Sequence, residues 1–218
     1  PYTTWTGYQG GSHSAQFTAL SQITKANVKQ LQVAWTYPVR DGAAYLFNPV
    51  IVDNIMYVLA RNSSLVALDA ATGKALWKYG YASSFQDPFG FNNGPRCSPL
   101  LTADRCYTFG AEGVLICLDR KTGELVSAEP YVAGITWAKG IDGKTGRPIE
   151  NPLARFDERR TPTVVSPGEG GGHSWAPTAF SPKTGLLYIP TFDQGALISE
   201  GQKGGGEIRI CLHMPLLR

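Results

Sequence analysis

Residues 49–77, PVIVDNIMYVLARNSSLVALDAATGKALW, lie without a gap on residues 99–127, PLLTADRCYTFGAEGVLICLDRKTGELVS, when the chain is shifted by fifty positions. Pro49 meets Pro99, Tyr57 meets Tyr107, Leu65 meets Leu115, Leu68-Asp69 meets Leu118-Asp119, and Thr72-Gly73 meets Thr122-Gly123. Between these anchors the apolar class persists while the residue types drift. A self-match of this length restricts the fold more than any composition, because one copy cannot bury both of its faces and must stack on another. The period is close to the roughly 40–50 residues of a four-stranded propeller blade.

Each copy divides into four short apolar runs. In the first they are Pro49–Val52, Ile55–Ala60, Ser64–Leu68 and Ala75–Tyr79, separated by Asp53-Asn54, Asn62-Ser63 and Asp69 to Gly73. β-branched and aromatic runs bounded by turn residues predict strands. In the last turn an aspartate side chain can accept from N–H groups two residues on, and Gly73 supplies a positive φ. Trp77 closes the copy as a large apolar plate whose indole N–H needs an acceptor. By position, Asp69 and Asp119 are turn formers rather than acid–base groups.

Twenty-five glycines and fifteen prolines, with few helical patterns, agree with an all-β, turn-rich chain. The formal charge of +3 is small and scattered, with no basic stripe interleaved with aromatics, so no nucleic-acid partner is expected. No apolar run reaches membrane-spanning length, and no signal peptide stands at Pro1. Cys106 and Cys117 fall on neighbouring strands, either as a disulfide or as two buried thiols. Asn62-Ser63-Ser64 fits a glycosylation sequon. His13, His173 and His213 lack metal-ligand spacing. Gly168–Gly172 precedes a strand, not a helix, and offers no phosphate site. No Cys-x-x-Cys-His haem motif and no adjacent Cys-Cys pair occur.

Around the repeat the motifs become specific. The first segment carries Trp5, Tyr8-x-Gly10-Gly11, Ser14-Ala15-Gln16-Phe17-x-x-Leu20, Gln22-Ile23-x-x-x-Asn27-Val28 and Leu31-x-Val33-Ala34-Trp35-x-Tyr37. Leu31–Tyr37 reads as a strand after a short turn or helix at Ser21–Leu31. These motifs, with Phe47-Asn48-Pro49 through Trp77, resemble the amino-terminal part of quinoprotein dehydrogenases, the enzymes that use pyrroloquinoline quinone (PQQ). The run Ala67-x-Asp69-x-x-Thr72-Gly73-Lys74-x-x-Trp77 resembles that family's tryptophan-docking motif, in which each blade's Trp packs on the next blade. Ser127 stands where the second copy should carry this Trp. Trp137-Ala138-Lys139-Gly140-Ile141-Asp142, Asn151-Pro152 and residues 166–190 resemble a later part of the dehydrogenases, and Gly204 to Arg209 the start of a further strand.

The resemblance implies an all-β fold of PQQ-type propeller blades, each of four antiparallel strands, with three to four blades present as an incomplete ring. The expected divisions are 1–48, an amino-terminal segment and strand of the closing blade; 49–80 and 99–127, blades; 128–172, a long loop insertion; and 173–218, an incomplete blade and tail. Trp175–Phe180 and Leu186–Pro190 are expected to pair around Ser181–Gly185. The implied chemistry is oxidation of a small-molecule alcohol or sugar hydroxyl by PQQ held with Ca²⁺, in the periplasm. A quinone needs a flat plate, polar groups at its edges, a hard cation and a carboxylate base. Ser174 and Trp175 match the family's Asn-Trp pair near the cofactor, with Ser for Asn. Trp175 faces the cofactor or serves as an inter-blade plate. Trp137 and Lys139 are further cofactor-binding candidates, as surface packing is for them the alternative; Arg155 and Arg159 suit the cofactor's carboxylates. The family's calcium-binding Glu, Asn and Asp and its catalytic Asp have no counterpart, so metal ligands and catalytic residues are unassigned. The competing readings are a non-catalytic propeller scaffold, binding a protein partner or self-associating through open edges, and an inactive fragment.

Overall fold

A computed structural model describes residues 3–11, 13–39, 47–60, 64–80, 97–110, 113–154, 161–168 and 170–199. The first copy of the repeat is a four-stranded antiparallel sheet, β1 Val50–Val52, β2 Ile55–Ala60, β3 Ser64–Asp69 and β4 Ala75–Tyr79, in that spatial order. The second is its twin: β5 Leu100–Leu101, β6 Arg105–Phe109, β7 Val114–Asp119 and β8 Leu125–Pro130. Registers agree at the fifty-residue offset. Tyr57 pairs with Ala67 and Ala67 with Trp77, as Tyr107 pairs with Cys117 and Cys117 with Ser127. Even the ladder irregularity recurs, between Ala67 and Leu68 and between Cys117 and Leu118. Beyond the twins lie three two-stranded sheets: β9 Ala138–Ile141 with β10 Pro148–Glu150, β11 Thr163–Val165 with β14 Ala196–Ile198, and β12 Ala179–Ser181 with β13 Leu186–Tyr188. Helical turns among the described residues are three-residue 3-10 turns at Tyr8–Gly10, Val28–Gln30 and Pro152–Ala154. The chain is all-β, built from propeller-type blades that, among the described residues, do not close a ring. No helix among the described residues is long and apolar enough to cross a membrane.

Paired residues on antiparallel strands share a face, and neighbours along a strand alternate. One face of the first blade therefore presents Tyr57, Leu59, Leu65 and Ala67, and the facing side of the second presents Cys106, Val114, Ile116, Leu118 and Ala128. These nine form one buried cluster, the core between the blades. On the far side of the first blade, Ala60, Val66 and Leu68 are covered by Trp35, Tyr37 and Val39. Leu31–Tyr37 thus makes the packing expected of it but lies in no assigned strand. A strand is defined by its ladder, and none of the described residues pairs with it there.

The turns explain how the sheets are joined. Asp69 Oδ1 accepts from Ala71 N at 3.1 Å and from Thr72 N and Oγ1, both at 2.8 Å, while Gly73 N donates to Asp69 O at 2.8 Å. Asp119 repeats this with Lys121 and Thr122 N, both at 2.9 Å, and with Gly123 N. Thr72, through its hydroxyl and its N–H, and then Ala71 hold the Asp69 carboxyl below its ordinary range; for Asp119 the N–H groups of Thr122 and Lys121 do so. On each turn sits a ring from the preceding segment. Trp35 Nε1 donates to Ala70 O and Trp77 Nε1 to Arg120 O, both at 3.1 Å. A β-carbon at Gly73 would lie 2.5 Å from Trp35, and one at Gly123 2.6 Å from Trp77. Glycine is required there twice, for its φ of +70° and +75° and for the indole. Arg120 adds a polar tie, donating to Asp53 Oδ2 at 2.6 Å and to Thr102 O at 3.1 Å.

One open alternative is settled and two expectations need correction. Cys106 pairs with Leu118, and Cys117 with Tyr107, so the two thiols project from opposite faces and are both free. Residues 128–172, read as a long loop, carry β9, β10 and β11, and the β9–β10 connection is a third turn of the same design. Asp142 Oδ1 accepts from Lys144 N at 2.8 Å and Thr145 N at 3.1 Å, and Gly146 N donates to Asp142 O. The strand expected at Trp175–Phe180 begins only at Ala179, because Pro177 has no N–H to give a ladder. A fourth turn, Ser181–Gly185, joins β12 and β13 as expected, closed by Gly185 N to Ser181 O at 2.8 Å. The sequon at Asn62-Ser63-Ser64, Arg155, Arg159, His213 and residues 204–209 lie wholly or partly outside the described residues.

Gly123 and Gly185 share a positive φ, +75° and +69°, but only Gly123 has a ring against it. Gly123→Ala should therefore destabilise by about 2–4 kcal/mol, combining the positive φ with overpacking. Gly185→Ala should cost about 1 kcal/mol from φ alone. Urea unfolding of the two variants measures the difference; equal losses would mean that the indole contact contributes nothing.

Candidate functional site

In a four-stranded antiparallel blade, alternate connections leave from the same end. The Asp-x-x-Thr-Gly turns mark one end of each sheet. At the other end of the second blade lie the β6–β7 turn, Gly110 to Gly113, and the exit of β8 at Pro130. There the later segments of the chain return. Tyr131 N donates to Gly113 O and its hydroxyl to Gly110 O, each at 3.3 Å. Gly172 packs so closely that a β-carbon on it would lie 2.5 Å from Val132 Cγ2. Thr136 stitches in residues 164–166: its N donates to Ser166 O and its hydroxyl to Val164 O, both at 3.0 Å, and the hydroxyl accepts from Ser166 N at 2.8 Å. Asn151 braces the same segment through Nδ2 to Thr136 O at 2.9 Å and N to Trp137 O at 2.7 Å.

His173 sits at the centre of this end and is 3% exposed. Its ring lies 5.0 Å from that of Phe109 and 6.3 Å from that of Tyr131, and Phe109 and Tyr131 meet edge to face at 5.8 Å. Nδ1 is 2.6 Å from Pro190 O. A carbonyl only accepts, so Nδ1 carries the proton and Nε2 is a bare acceptor. Nε2 is buried without a hydrogen-bond partner. Burial holds the imidazole below its ordinary value of 6.5, with the Pro190 hydrogen bond opposing. His173 entered the sequence reading only as a histidine without metal spacing. Its role depends on Phe109, Tyr131 and Pro190, which no local motif connects to it.

The four cofactor-binding candidates divide into two pairs. Ser174, half-buried, and Trp175 follow His173 directly, so the clasp around His173 sets where they emerge. Trp137, half-buried, is anchored through its carbonyl to Asn151, and Lys139 lies exposed on β9. Among the described residues no ring contact or hydrogen bond joins Trp137 or Lys139 to Ser174 or Trp175. Trp175 is 58% exposed, so the described residues leave most of its ring uncovered. A Ca²⁺ ion needs several converging oxygens, and among the described residues no group of three His, Cys, Asp or Glu side chains comes together.

Comparison with known proteins gives this end of the blade a context. The family model for the PQQ glucose/ethanol/alcohol dehydrogenase β-propeller domain matches residues 5–129. The dehydrogenase subunit of a quinone-type alcohol dehydrogenase from Gluconacetobacter polyoxogenes is 37% identical over 148 residues, covering 65% of this chain and 20% of that protein. A quinoprotein alcohol dehydrogenase of Pseudomonas putida is 34% identical over 173 residues, covering 72% of this chain and 25% of that protein. Among solved structures, the quinohemoprotein alcohol dehydrogenase from Comamonas testosteroni superposes with a TM-score of 0.56 at 28% identity, over 72% of this chain and 26% of that one. The chain thus spans about a fifth to a quarter of the length of these curated relatives.

The exposure of Trp175 separates its two candidate roles energetically. Trp175→Ala should change stability by less than about 0.5 kcal/mol, as surface substitutions do. Trp77→Ala, which empties the seat on Gly123, should cost about 3–5 kcal/mol. Chemical denaturation of both variants reads the contrast, and comparable losses would restore Trp175 to the core.

Proposed function

The chain belongs to the β-propeller family of PQQ-dependent glucose, ethanol and alcohol dehydrogenases, and on that footing we propose that it serves in the oxidation of a small alcohol. The observation that carries the reading is the family match over residues 5–129, joined to relatives named as alcohol dehydrogenases at 34–37% identity. In this reading the bound quinone supplies the two-electron acceptor. The chain's own contribution is a wall of the site: Trp175 as an open aromatic face, Ser174 as a donor and acceptor at the cofactor's edge, and Trp137 and Lys139 on the neighbouring segment. Ca²⁺ as the polarising cation and a periplasmic location go with the same reading. The described residues supply neither the cation's ligands nor a general base, so no catalytic step is assigned to them.

One observation favours a second reading, a propeller scaffold without catalysis. It is that no three metal-binding side chains converge among the described residues. Such a scaffold would engage a protein partner, or another copy of itself, through its open sheet edges.

Thermal unfolding with PQQ, with and without CaCl₂, distinguishes them. At one hundred times its dissociation constant a ligand stabilises its folded target by about 2.7 kcal/mol, a rise of several degrees in a chain of this size. The dehydrogenase reading expects that rise, its weakening by tenfold or more in affinity on Trp175→Ala, and dye-linked oxidation of ethanol in preference to glucose. No shift at saturating PQQ and Ca²⁺, with no oxidation, would leave the scaffold reading standing.

A further inference from the structure

Among the described residues, His173 is a buried titratable group that neither the blade core nor the proposed cofactor contacts account for. Its surroundings come from three separate parts of the chain. Phe109 lies at the end of β6, Tyr131 follows β8, and Pro190 follows β13. The backbone on either side is tied to the same place, since Phe192 N donates to Gly172 O at 3.0 Å and Gly171 N to Gly168 O at 2.9 Å. The imidazole therefore joins the strip Gly171–Trp175 and the segment 190–192 to the face of the second blade.

We propose that His173 is an acid-sensitive clasp: uptake of a second proton on its ring releases the strip Gly171–Trp175, and with it Ser174 and Trp175, from the second blade. The geometry makes the neutral ring the only one that fits. Nδ1–H is already satisfied by Pro190 O, and Nε2 points into a place where no acceptor is offered. A proton on Nε2 creates a buried cation with an unpaired N–H against two aromatic rings, an arrangement that favours opening to water. Among the described residues the titratable group facing the ring is Tyr131, whose hydroxyl is turned to Gly110 O. Phe109 and Pro190 bring no charge. Among the described residues none of the ion pairs includes His173, and the nearest acid along the 190–192 segment, Asp193, is exposed.

The sign follows from linkage. The folded state binds this proton less readily than the unfolded or opened state does, since burial lowers the group's value from 6.5. The clasp's contribution is therefore complete above pH 6.5 and is lost progressively as pH falls below it. For one proton, the opening equilibrium rises by at most about tenfold per pH unit. The device does not depend on what the site binds; it governs whether Ser174 and Trp175 are held in place to bind it.

Two measurements on the whole chain test this. Nitrogen-15 correlation spectra of the histidine rings, with His173 identified by loss of its signals in His173→Asn, should show Nδ1–H and a bare Nε2 at pH 7.5, titrating below 6.5. If that variant does not fold, His13→Gln and His213→Gln identify the remaining ring by elimination. Hydrogen exchange between pH 7.5 and 5.0, corrected for the intrinsic rate, should show residues 170–192 losing tenfold or more protection while 55–69 and 105–119 keep theirs. In His173→Asn, whose amide can still donate to Pro190 O, protection of 170–192 should change less than twofold over that range. An Nε2–H tautomer, titration at an ordinary value, equal loosening in His173→Asn, or simultaneous loosening of both blades would each overturn the proposal.

Discussion

An indole lying flat on a glycine, with its N–H directed at the carbonyl of the same turn, is the contact on which the arrangement of sheets depends. It occurs twice, Trp35 on the turn of Gly73 and Trp77 on the turn of Gly123. A blade of four short strands has two apolar faces and no means of covering either. The inter-blade cluster covers one, but greasy faces alone would tolerate sliding. The indole N–H, with a single acceptor carbonyl to meet, fixes the register of one sheet over the next. The Arg120–Asp53 pair adds direction at the rim; its Asp53 end is open to water, which limits its energetic share.

The second blade departs from this scheme in a way that shapes the candidate site. At the fifty-residue offset, Tyr57, Ala67 and Trp77 become Tyr107, Cys117 and Ser127. No ring leaves this blade to dock on a following turn, and the Gly185 turn has nothing within 4 Å of its would-be β-carbon. The far face of the blade is instead closed at one end by Phe109, Tyr131 and His173. Aromatic packing has moved from the rim to the end of the sheet where the connections cross. That end also carries Ser174 and Trp175, so the same packing that closes the blade sets the position of the residues proposed to meet a cofactor.

The legible parts were those encoded within a few residues. The repeat exposed both blades, because period-2 apolar runs and Asp-x-x-Thr-Gly turns are local signals, and the strand ends agree to within a few residues. The β9–β10 hairpin was less legible. Ala138–Ile141 and Pro148–Glu150 contain lysine, glycine, proline and glutamate, poor strand formers, so 128–172 reads as a loop although Asp142-x-x-Thr145-Gly146 repeats the turn of the blades. The cysteine pairing depended on register, and a shift of one residue reverses the face of a side chain. The site was the least legible. The openness of Trp175 and the closure around His173 are set by contacts between segments more than forty residues apart, such as Phe109 with His173.

The Trp-to-turn contacts also have a direction, since each ring is held by the sheet that comes later in the chain. A pull on the amino terminus would load Trp35 against the first blade and, through it, Trp77 against the second. Among the described residues no indole takes the strain beyond Ser127, but Tyr79 reaches the β9–β10 turn, its hydroxyl donating to Thr145 O at 3.2 Å beside Gly146. The β9–β10 hairpin is thereby tied back to the first blade as well as lying beside the second, so a load passed along the chain is shared by both sheets before that hairpin can part from them.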